Sequence, residues 1–251
     1  MSAYLSYQTI IETDVDEFDF LGRIKPSAIL AYFQNVAVAH ANLLGIGYAA
    51  MQEKNLCWVL NRLSAVIEKS PAPGEKIIVT TFPHKPSFAD VLRDYIVTNE
   101  SGERLMLGTS RWCVLDTLTT AVRRCAPLFP YSDDRYTPDF TLKDGNPQLP
   151  AWENVEAESV DAFEGFVRLS DLDRNIHMNN VRYADAVMNG CDFDFYATHT
   201  ICALDFNFLA QMRVGDDYIV RRKDKGKESF FEMISPKNPR PIFRARLQWN
   251  P

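Results

Sequence analysis

The amino-acid sequence predicts an α+β fold built from two units of similar design that follow each other along the chain. Two observations carry this prediction. A helix that is apolar on nearly all sides precedes a run of strand-like segments, and the same order of elements occurs a second time. Between the two halves, residues 126–158 are rich in proline and have little hydrophobic periodicity, which indicates a linker on the surface.

The first unit begins with a helix predicted over residues 27–44, for which Ser27 is a possible N-cap. Apolar side chains cover almost its whole circumference, so the helix should be buried on most sides. The apolar residues of this helix include Ile29, Leu30, Phe33, Val36, Val38 and Leu43.

Four segments of strand character follow this helix, and residues 100–102 between the last two are a short loop with glycine that suits a hairpin. The predicted strands lie at 56–68, 75–82, 88–99 and 103–115.

The second half repeats this order, with a helix at 180–190 and four further predicted strands. These strands lie at 200–208, 216–222, 228–234 and 241–249. A single antiparallel sheet curled round the helix is the economical way to bury a helix that is apolar on all sides. This arrangement is a hotdog, and the sequence therefore predicts a double (tandem) hotdog with units at 1–125 and 159–251.

Composition limits the classes of function. The 251 residues are 46% apolar and 24% charged, and the formal net charge of -6 argues against bulk binding of nucleic acid. No apolar run approaches the roughly 20 residues of a membrane span, and the first residues do not resemble a signal peptide. We therefore expect a cytoplasmic protein. The five cysteines lack CxxC spacing, which favours reduced thiols over disulfides or a zinc site.

The stretch SDLDRNIHMNNVRYADAV, residues 170–187, holds the densest group of polar side chains that could support chemistry. Asp173, Asn175 and His177 occupy alternate positions, so they share a face only if this segment is extended or loop-like rather than helical. Asn179 or Asn180 then serves as the N-cap of the second helix. A carboxylate, an amide and an imidazole would stand together beside the N-terminus of a buried helix.

Such a group suits the hydrolysis of a thioester. Imidazole accepts a proton near neutral pH, and an amide can polarise a carbonyl or position a water molecule. The alternative is a turn and a cap whose side chains bond only to their own backbone. The spacing alone leaves both interpretations open.

The motif DLDRNIHMNNVRY resembles the DxNxHxNNxxY signature of the acyl-acyl carrier protein (acyl-ACP) thioesterases of plant plastids and their bacterial relatives. The segments AILAYFQNVAVAHANLLGIG and KNLCWVLNR are similar to that family's N-terminal helix and NLxWVxxR strand. The resemblance runs from about residue 5 to 220. It implies a double hotdog that hydrolyses fatty acyl-ACP to free fatty acid, without a metal or another cofactor.

The resemblance implies that Asp173, Asn175 and His177 are the catalytic residues of the second unit. Gln211 stands where the family has a further carboxylate. Because glutamine cannot accept a proton, we expect Gln211 to orient the water while His177 or Asp173 activates it. The first half, with DFLGRIKPSAI, lacks the Asn and His, so one active site per chain is expected.

The resemblance also places the acyl chain in the first unit, although a plain core role is an equally good interpretation for each proposed wall residue. These residues are Phe33, Val36, Ala37, Leu56, Trp58 and Leu60.

The expected partner is acyl carrier protein with a fatty acyl chain on its 4′-phosphopantetheine, and neither nucleic acid nor membrane is expected. An acyl-coenzyme A thioesterase and a non-catalytic acyl-carrier-binding protein are the alternatives on the same fold. The sequence leaves open whether the chain is a monomer or a homodimer.

Overall fold

The computed structural model describes residues 5–137, 139–142 and 144–251. Residues 1–4 of the predicted first unit and residues 138 and 143 of the predicted linker lie outside the described residues. The helices are α1 (Pro26–Leu43), α2 (Tyr48–Gln52), α3 (Asn180–Asn189) and α4 (Phe193–Thr198). The strands are β1 (Tyr7–Glu12), β2 (Leu56–Ile67), β3 (Lys76–Pro83), β4 (Asp90–Asn99), β5 (Arg104–Asp116), β6 (Val122–Arg123), β7 (Val160–Phe166), β8 (Thr200–Phe208), β9 (Asp217–Lys225), β10 (Glu228–Ser235) and β11 (Asn238–Asn250).

The described strands form one antiparallel sheet in the order β1-β3-β4-β5-β2-β8-β11-β10-β9-β7, with β6 attached to β5. Each half of this order has the same internal sequence of strands, and the two halves are mirrored about the β2–β8 pair. This pair runs from Arg62 opposite Asn207 to Val66 opposite Ala203. The central pairing therefore joins two equivalent half-sheets into a continuous surface.

Both long helices lie against this sheet and pack against each other. Phe33 of α1 is fully buried, and its ring stacks on Tyr95 of β4 at 4.3 Å between centroids. Gly108 of β5 is the cross-strand partner of Tyr95 and lies directly beneath the Phe33 ring. The absence of a side chain at Gly108 lets the helix approach the sheet closely.

The eight predicted strands and both predicted helices are confirmed, with ends that differ by a few residues. Ser27 as the N-cap was wrong, because Pro26 already occupies the first turn of α1 and Lys25 is the capping residue. Proline suits the first turn, since its fixed φ matches the helix and no N–H is lost.

Helix α1 is buried on most sides, as predicted, although two of its apolar residues are exposed. Val38 is 47% exposed and Leu43 is 71% exposed. The sequence analysis also missed the two edge strands β1 and β7. Edge strands bury little side-chain surface, so their hydrophobic pattern is weak. In β1, Ile10 is exposed at a position where the alternation of buried and exposed residues would place a polar side chain.

The segment between the two units crosses the outer face of the central strands and is bonded to both. The backbone N–H of Asn146 donates to Ser64 Oγ at 2.8 Å, and that of Leu149 donates to Asn207 Oδ1 at 2.9 Å. Ser64 in turn donates to Asp205 Oδ1 across the β2–β8 pair. This segment therefore covers polar groups at the junction of the half-sheets.

The cysteines and the helices bear on two further expectations from the sequence. All five cysteines are free thiols, as predicted. Among the described residues, no helix combines the length and the apolar character needed to cross a membrane.

Gly108→Ala tests the close approach of α1 to the sheet. A Cβ at this position would lie 2.1 Å from Phe33 Cε2, so we expect a loss of about 1–3 kcal/mol in the free energy of unfolding. Urea denaturation measures it. The double variant Gly108→Ala/Phe33→Leu should recover part of the loss, whereas a single variant as stable as the wild type would contradict this packing.

Candidate active site

The loop that carries the predicted catalytic residues is a tight turn held by one carboxylate. Asp173 Oδ1 accepts hydrogen bonds from the backbone N–H of Asn175 at 2.8 Å and of His177 at 3.2 Å. Leu172 and Met178 pair across the base of the turn, and Ile176 has a left-handed φ of 61°. The segment is therefore loop-like rather than extended. Both interpretations of the sequence, a group of reactive side chains and a plain turn, apply to Asp173, because its side chain bonds to the backbone of its own turn.

Helix α3 begins directly after this turn. The side chain of Asn179 accepts from the N–H of Val181 at 3.2 Å and is the N-cap. Asn180, the other predicted N-cap, is instead the first helical residue, and its Nδ2 donates to Gln34 Oε1 of α1 at 3.1 Å. This bond ties the start of α3 to the helix of the first unit.

A cavity of about 480 Å³ lies between the two units and brings the four predicted catalytic residues together. Asp173, Asn175 and His177 line it from the turn, and Gln211 lines it from the loop after β8. Asn175 and Gln211 are exposed, whereas Asp173 and His177 are half-buried. The group therefore stands where the cavity opens to solvent.

The imidazole of His177 has a free nitrogen. Its Nδ1 is buried and has no hydrogen-bond partner within the described parts of the chain. A buried nitrogen without a protein partner is costly unless a ligand or a water molecule supplies one. It is therefore available to exchange a proton with a bound molecule.

Gln211 is positioned by backbone bonds of its own segment. The N–H groups of Leu209 and Ala210 both donate to the carbonyl of Ile242 in β11, and Met178 N–H donates to Met212 O at 2.8 Å. The last bond joins the Gln211 segment to the turn at residues 172–178, the candidate catalytic turn. Two chain segments far apart in sequence thus present their polar side chains to one cavity.

Three of the six residues predicted to line the acyl chain do line this cavity, namely Leu56, Trp58 and Leu60. Ala37 lines a smaller adjoining pocket of about 60 Å³, which shares the Trp58 side chain with the cavity.

Phe33 and Val36 do not line this cavity, so the prediction that they form part of its wall was wrong. Both belong to the buried core between α1 and the sheet, and Phe33 is occupied by its stack on Tyr95. Helical periodicity alone does not separate the side chains of α1 that face the sheet from those that face the cavity.

The sequence analysis missed several cavity residues, of which Gln34, Tyr48 and Asn61 are polar. Gln34 had a detectable signal, because it is one of the few polar residues in a largely apolar helix. The guanidinium carbon of Arg174 lies over the Tyr48 ring, 4.4 Å from the ring centroid, so the candidate catalytic turn also contacts α2. Asn61 gave no signal in the sequence.

The first unit contains a turn of the same geometry that lacks the predicted catalytic side chains. Asp19 Oδ1 accepts from the N–H groups of Leu21 and Arg23, both at 2.8 Å, and Phe18 pairs with Ile24 across its base. Leu21 and Arg23 thus stand where the second unit has Asn175 and His177.

The equivalent place in the first unit is filled by Arg23. Its Nε pairs with Asp19 Oδ2 at 2.9 Å, and its other nitrogens donate to the carbonyls of His199 and Tyr196. Tyr196 also donates its hydroxyl to Asp19 Oδ2 at 2.8 Å. These bonds occupy the polar groups of the turn, which supports the expectation of one active site per chain.

Comparison with protein-family models gives two matches along the chain. The model of the acyl-ACP thioesterase N-terminal domain matches residues 4–129, and that of the acyl-ACP thioesterase C-terminal domain matches residues 153–250. Together they cover nearly the whole sequence.

Curated relatives include a chloroplastic palmitoyl-acyl carrier protein thioesterase of Gossypium hirsutum, which is 26% identical over 249 residues. The match covers 89% of this chain and 58% of that protein. A protein of the same description from Arabidopsis thaliana is 30% identical over 171 residues, covering 62% of this chain and 40% of that one. The chain spans about half the length of the curated relatives that it matches.

Solved structures with a similar fold include an acyl-ACP thioesterase from Bacteroides thetaiotaomicron, with a TM-score of 0.82, 20% identity and full coverage of both chains. The 12:0-ACP thioesterase from Umbellularia californica gives a TM-score of 0.84 at 18% identity, with 98% of each chain covered. These likenesses confirm the double hotdog fold. With both family models matched along its length, the chain belongs to the acyl-ACP thioesterase family.

Proposed function

We propose that this protein hydrolyses the thioester of fatty acyl-ACP and releases free fatty acid. The observation that carries the proposal is the convergence of Asp173, Asn175, His177 and Gln211 on one cavity whose far wall is apolar. A thioester hydrolase needs a proton acceptor, a carbonyl-polarising donor and space for an alkyl chain next to them. The cavity offers all three, and the family supports this activity.

In the proposed mechanism, His177 takes a proton from a water molecule that attacks the thioester carbonyl carbon. Asn175 donates its amide N–H to the carbonyl oxygen, where negative charge develops in the tetrahedral intermediate. The carbon–sulfur bond then breaks, and the sulfur leaves as a thiol after His177 returns the proton. The products are a free fatty acid and the carrier's thiol.

Asp173 and Gln211 support these steps. The Asp173 carboxylate fixes the backbone of both Asn175 and His177, so it positions the two reacting side chains. Gln211 carries both a donor and an acceptor, so it orients the water without taking its proton. Burial raises the pKa of Tyr183, so its hydroxyl stays neutral, and it donates to Ala210 O beside Gln211 at 3.4 Å.

The two units have separate tasks in this proposal. The first unit, residues 1–125, holds the acyl chain against Leu56, Trp58 and Leu60, and the second, residues 159–251, supplies the catalytic side chains. The linker at 126–158 connects them. Cytoplasmic location stays a prediction from the sequence, which leaves both a monomer and a homodimer open.

The proposed activity is tested by incubating the purified protein with fatty acyl-ACP and with the matching acyl-coenzyme A and measuring free thiol. We expect faster release from acyl-ACP. Faster release from acyl-coenzyme A would favour the alternative substrate. If neither thioester is cleaved while acyl carrier protein still binds, the protein is a carrier-binding protein, an outcome that Gln211 would help to explain.

His177→Ala should lower kcat by about 10²-fold or more, because the proton acceptor is lost. Steady-state hydrolysis of acyl-ACP measures this effect. His199→Ala is the matched control, since that ring stacks on Phe195 and does not line the cavity. Wild-type turnover in His177→Ala would remove this residue from the mechanism.

Asn175→Ala should lower kcat by a similar factor, roughly 10²-fold, if its amide polarises the thioester carbonyl. The same assay measures it, and KM should change less than kcat. Because only the backbone N–H of Asn175 bonds to Asp173, the turn should keep its shape. An unchanged kcat would show that Asn175 does not contact the reacting carbonyl.

Gln211→Glu should add a titration to the pH profile of kcat. A carboxylate beside the water can take a proton only when ionised, so the rate of the variant should rise with pH as the new carboxyl group, with an ordinary pKa of about 4.3, loses its proton. Rates are measured across pH for both proteins. Identical profiles would mean that this position is not near the attacking water.

A further inference from the structure

A polar cleft of about 340 Å³ adjoins the catalytic cavity and shares Asn61, Phe208 and Leu209 with its wall. It lies where the two half-sheets separate, because β2 pairs with β8 only from Arg62 onward. Asn61 is the extra residue of a bulge between Leu60 and Arg62 opposite β5. A molecule that extends from the cavity toward this side of the sheet therefore meets the cleft.

Two arginines face each other in this cleft. Arg62 of β2 and Arg111 of β5 are direct cross-strand partners, and both are half-buried. Like charges directly opposite each other destabilise a sheet. Burial and the charge of Arg111 both lower the pKa of Arg62, which reflects the same unfavourable pairing.

Asp90 is the carboxylate that lines the cleft beside these two guanidinium groups. Asp90 Oδ2 pairs with Arg111 Nη1 at 2.5 Å, while Arg111 Nε is buried without a partner among the described residues. Within the described part of the chain, Arg62 donates only to neutral groups, the carbonyl of Asn146 at 3.1 Å and Gln148 Oε1 at 3.4 Å. Arg62, Arg111 and Asp90 together therefore carry one uncompensated positive charge, and the Arg111 Nε–H is an unused donor.

We propose that the Arg62–Arg111 cleft binds the phosphate of the substrate's phosphopantetheine arm. This inference rests on the proposed function, since the thiol that carries the acyl group is then attached to a phosphate ester. An anion there would separate the two like charges and accept from the unused donor. Guanidinium groups are suited to phosphate oxygens in both geometry and charge. The cleft would thus recognise the carrier rather than the acyl chain.

The test compares one acyl group on carriers with and without phosphate. Dodecanoyl-pantetheine and dodecanoyl-4′-phosphopantetheine are assayed with the wild-type protein. We expect kcat/KM to be roughly tenfold or more higher for the phosphorylated thioester, the scale of hydrogen bonds to a charged group, with the difference mainly in KM. This comparison needs no variant.

Arg62→Gln should bring the ratio of the two kcat/KM values close to one. Arg104→Gln is the matched control, because Arg104 is an exposed β5 arginine paired with Glu68 and lies outside the cleft. It should leave the ratio at its wild-type value. Thermal unfolding checks that both variants are folded.

Equal kcat/KM for the two thioesters in the wild type would overturn this inference and leave the proposed function standing. If none of the four thioesters is hydrolysed (dodecanoyl-pantetheine, dodecanoyl-4′-phosphopantetheine, dodecanoyl-ACP and palmitoyl-ACP), both this inference and the proposed function are overturned. Dodecanoyl-ACP and dodecanoyl-coenzyme A, assayed with the same variants, identify the source of the phosphate. The natural carrier is the one whose kcat/KM falls more in Arg62→Gln.

Discussion

The pairing of β2 with β8 is the interaction on which the rest of the structure depends. It joins two half-sheets of five main strands into one surface, with the same strand order on either side of the junction. Because the sheet is continuous, α1 and α3 lie against it side by side and pack on each other. The pairing covers only part of β2, and the part of that strand that does not pair with β8 contributes to the wall of the cavity between the units.

The duplicated architecture explains why the turn of the second unit can offer polar groups to a ligand, whereas the turn of the first unit is closed. Both turns use an aspartate to hold two backbone N–H groups, and this feature serves the backbone rather than the chemistry. The two turns differ in the side chains two and four residues after the aspartate, which are Leu21 and Arg23 in the first unit and Asn175 and His177 in the second. Arg23 donates to Asp19 within its turn and to the carbonyls of Tyr196 and His199. His177 instead leaves a ring nitrogen without a protein partner among the described residues. Asp173 therefore acts as a positioning group in our account, and the imidazole and the amides perform the chemistry.

Much of the fold could be predicted because the hydrophobic periodicity of most segments matches the burial of their side chains in the fold. The apolar helices and the central strands are buried on the faces that their periodicity indicates. Edge strand β1 was missed because Ile10 is exposed, and no local rule distinguishes an exposed isoleucine from a buried one. The resemblance to the family implied that Asp173, Asn175 and His177 act together, whereas their spacing alone left a plain turn equally open. The spacing allowed an extended or a loop-like segment, and the structure has the loop-like one. The left-handed Ile176 closes the turn, and a β-branched residue rarely adopts that conformation. The wall of the cavity was predicted only in part, since the directions of the α1 side chains depend on the angle at which the helix crosses the sheet.

The central claim is that the thioester lies between the units, with its carbonyl at the catalytic turn and its alkyl chain in the first unit. A crystal structure with an acyl-pantetheine amide, in which nitrogen replaces the reactive sulfur, tests this claim most directly. We predict that the amide carbonyl lies within hydrogen-bond distance of the Asn175 side chain, with His177 beside it. The alkyl chain should lie against Leu56, Trp58 and Leu60. An analogue bound outside this cavity, or one whose carbonyl points away from the turn, would contradict the account.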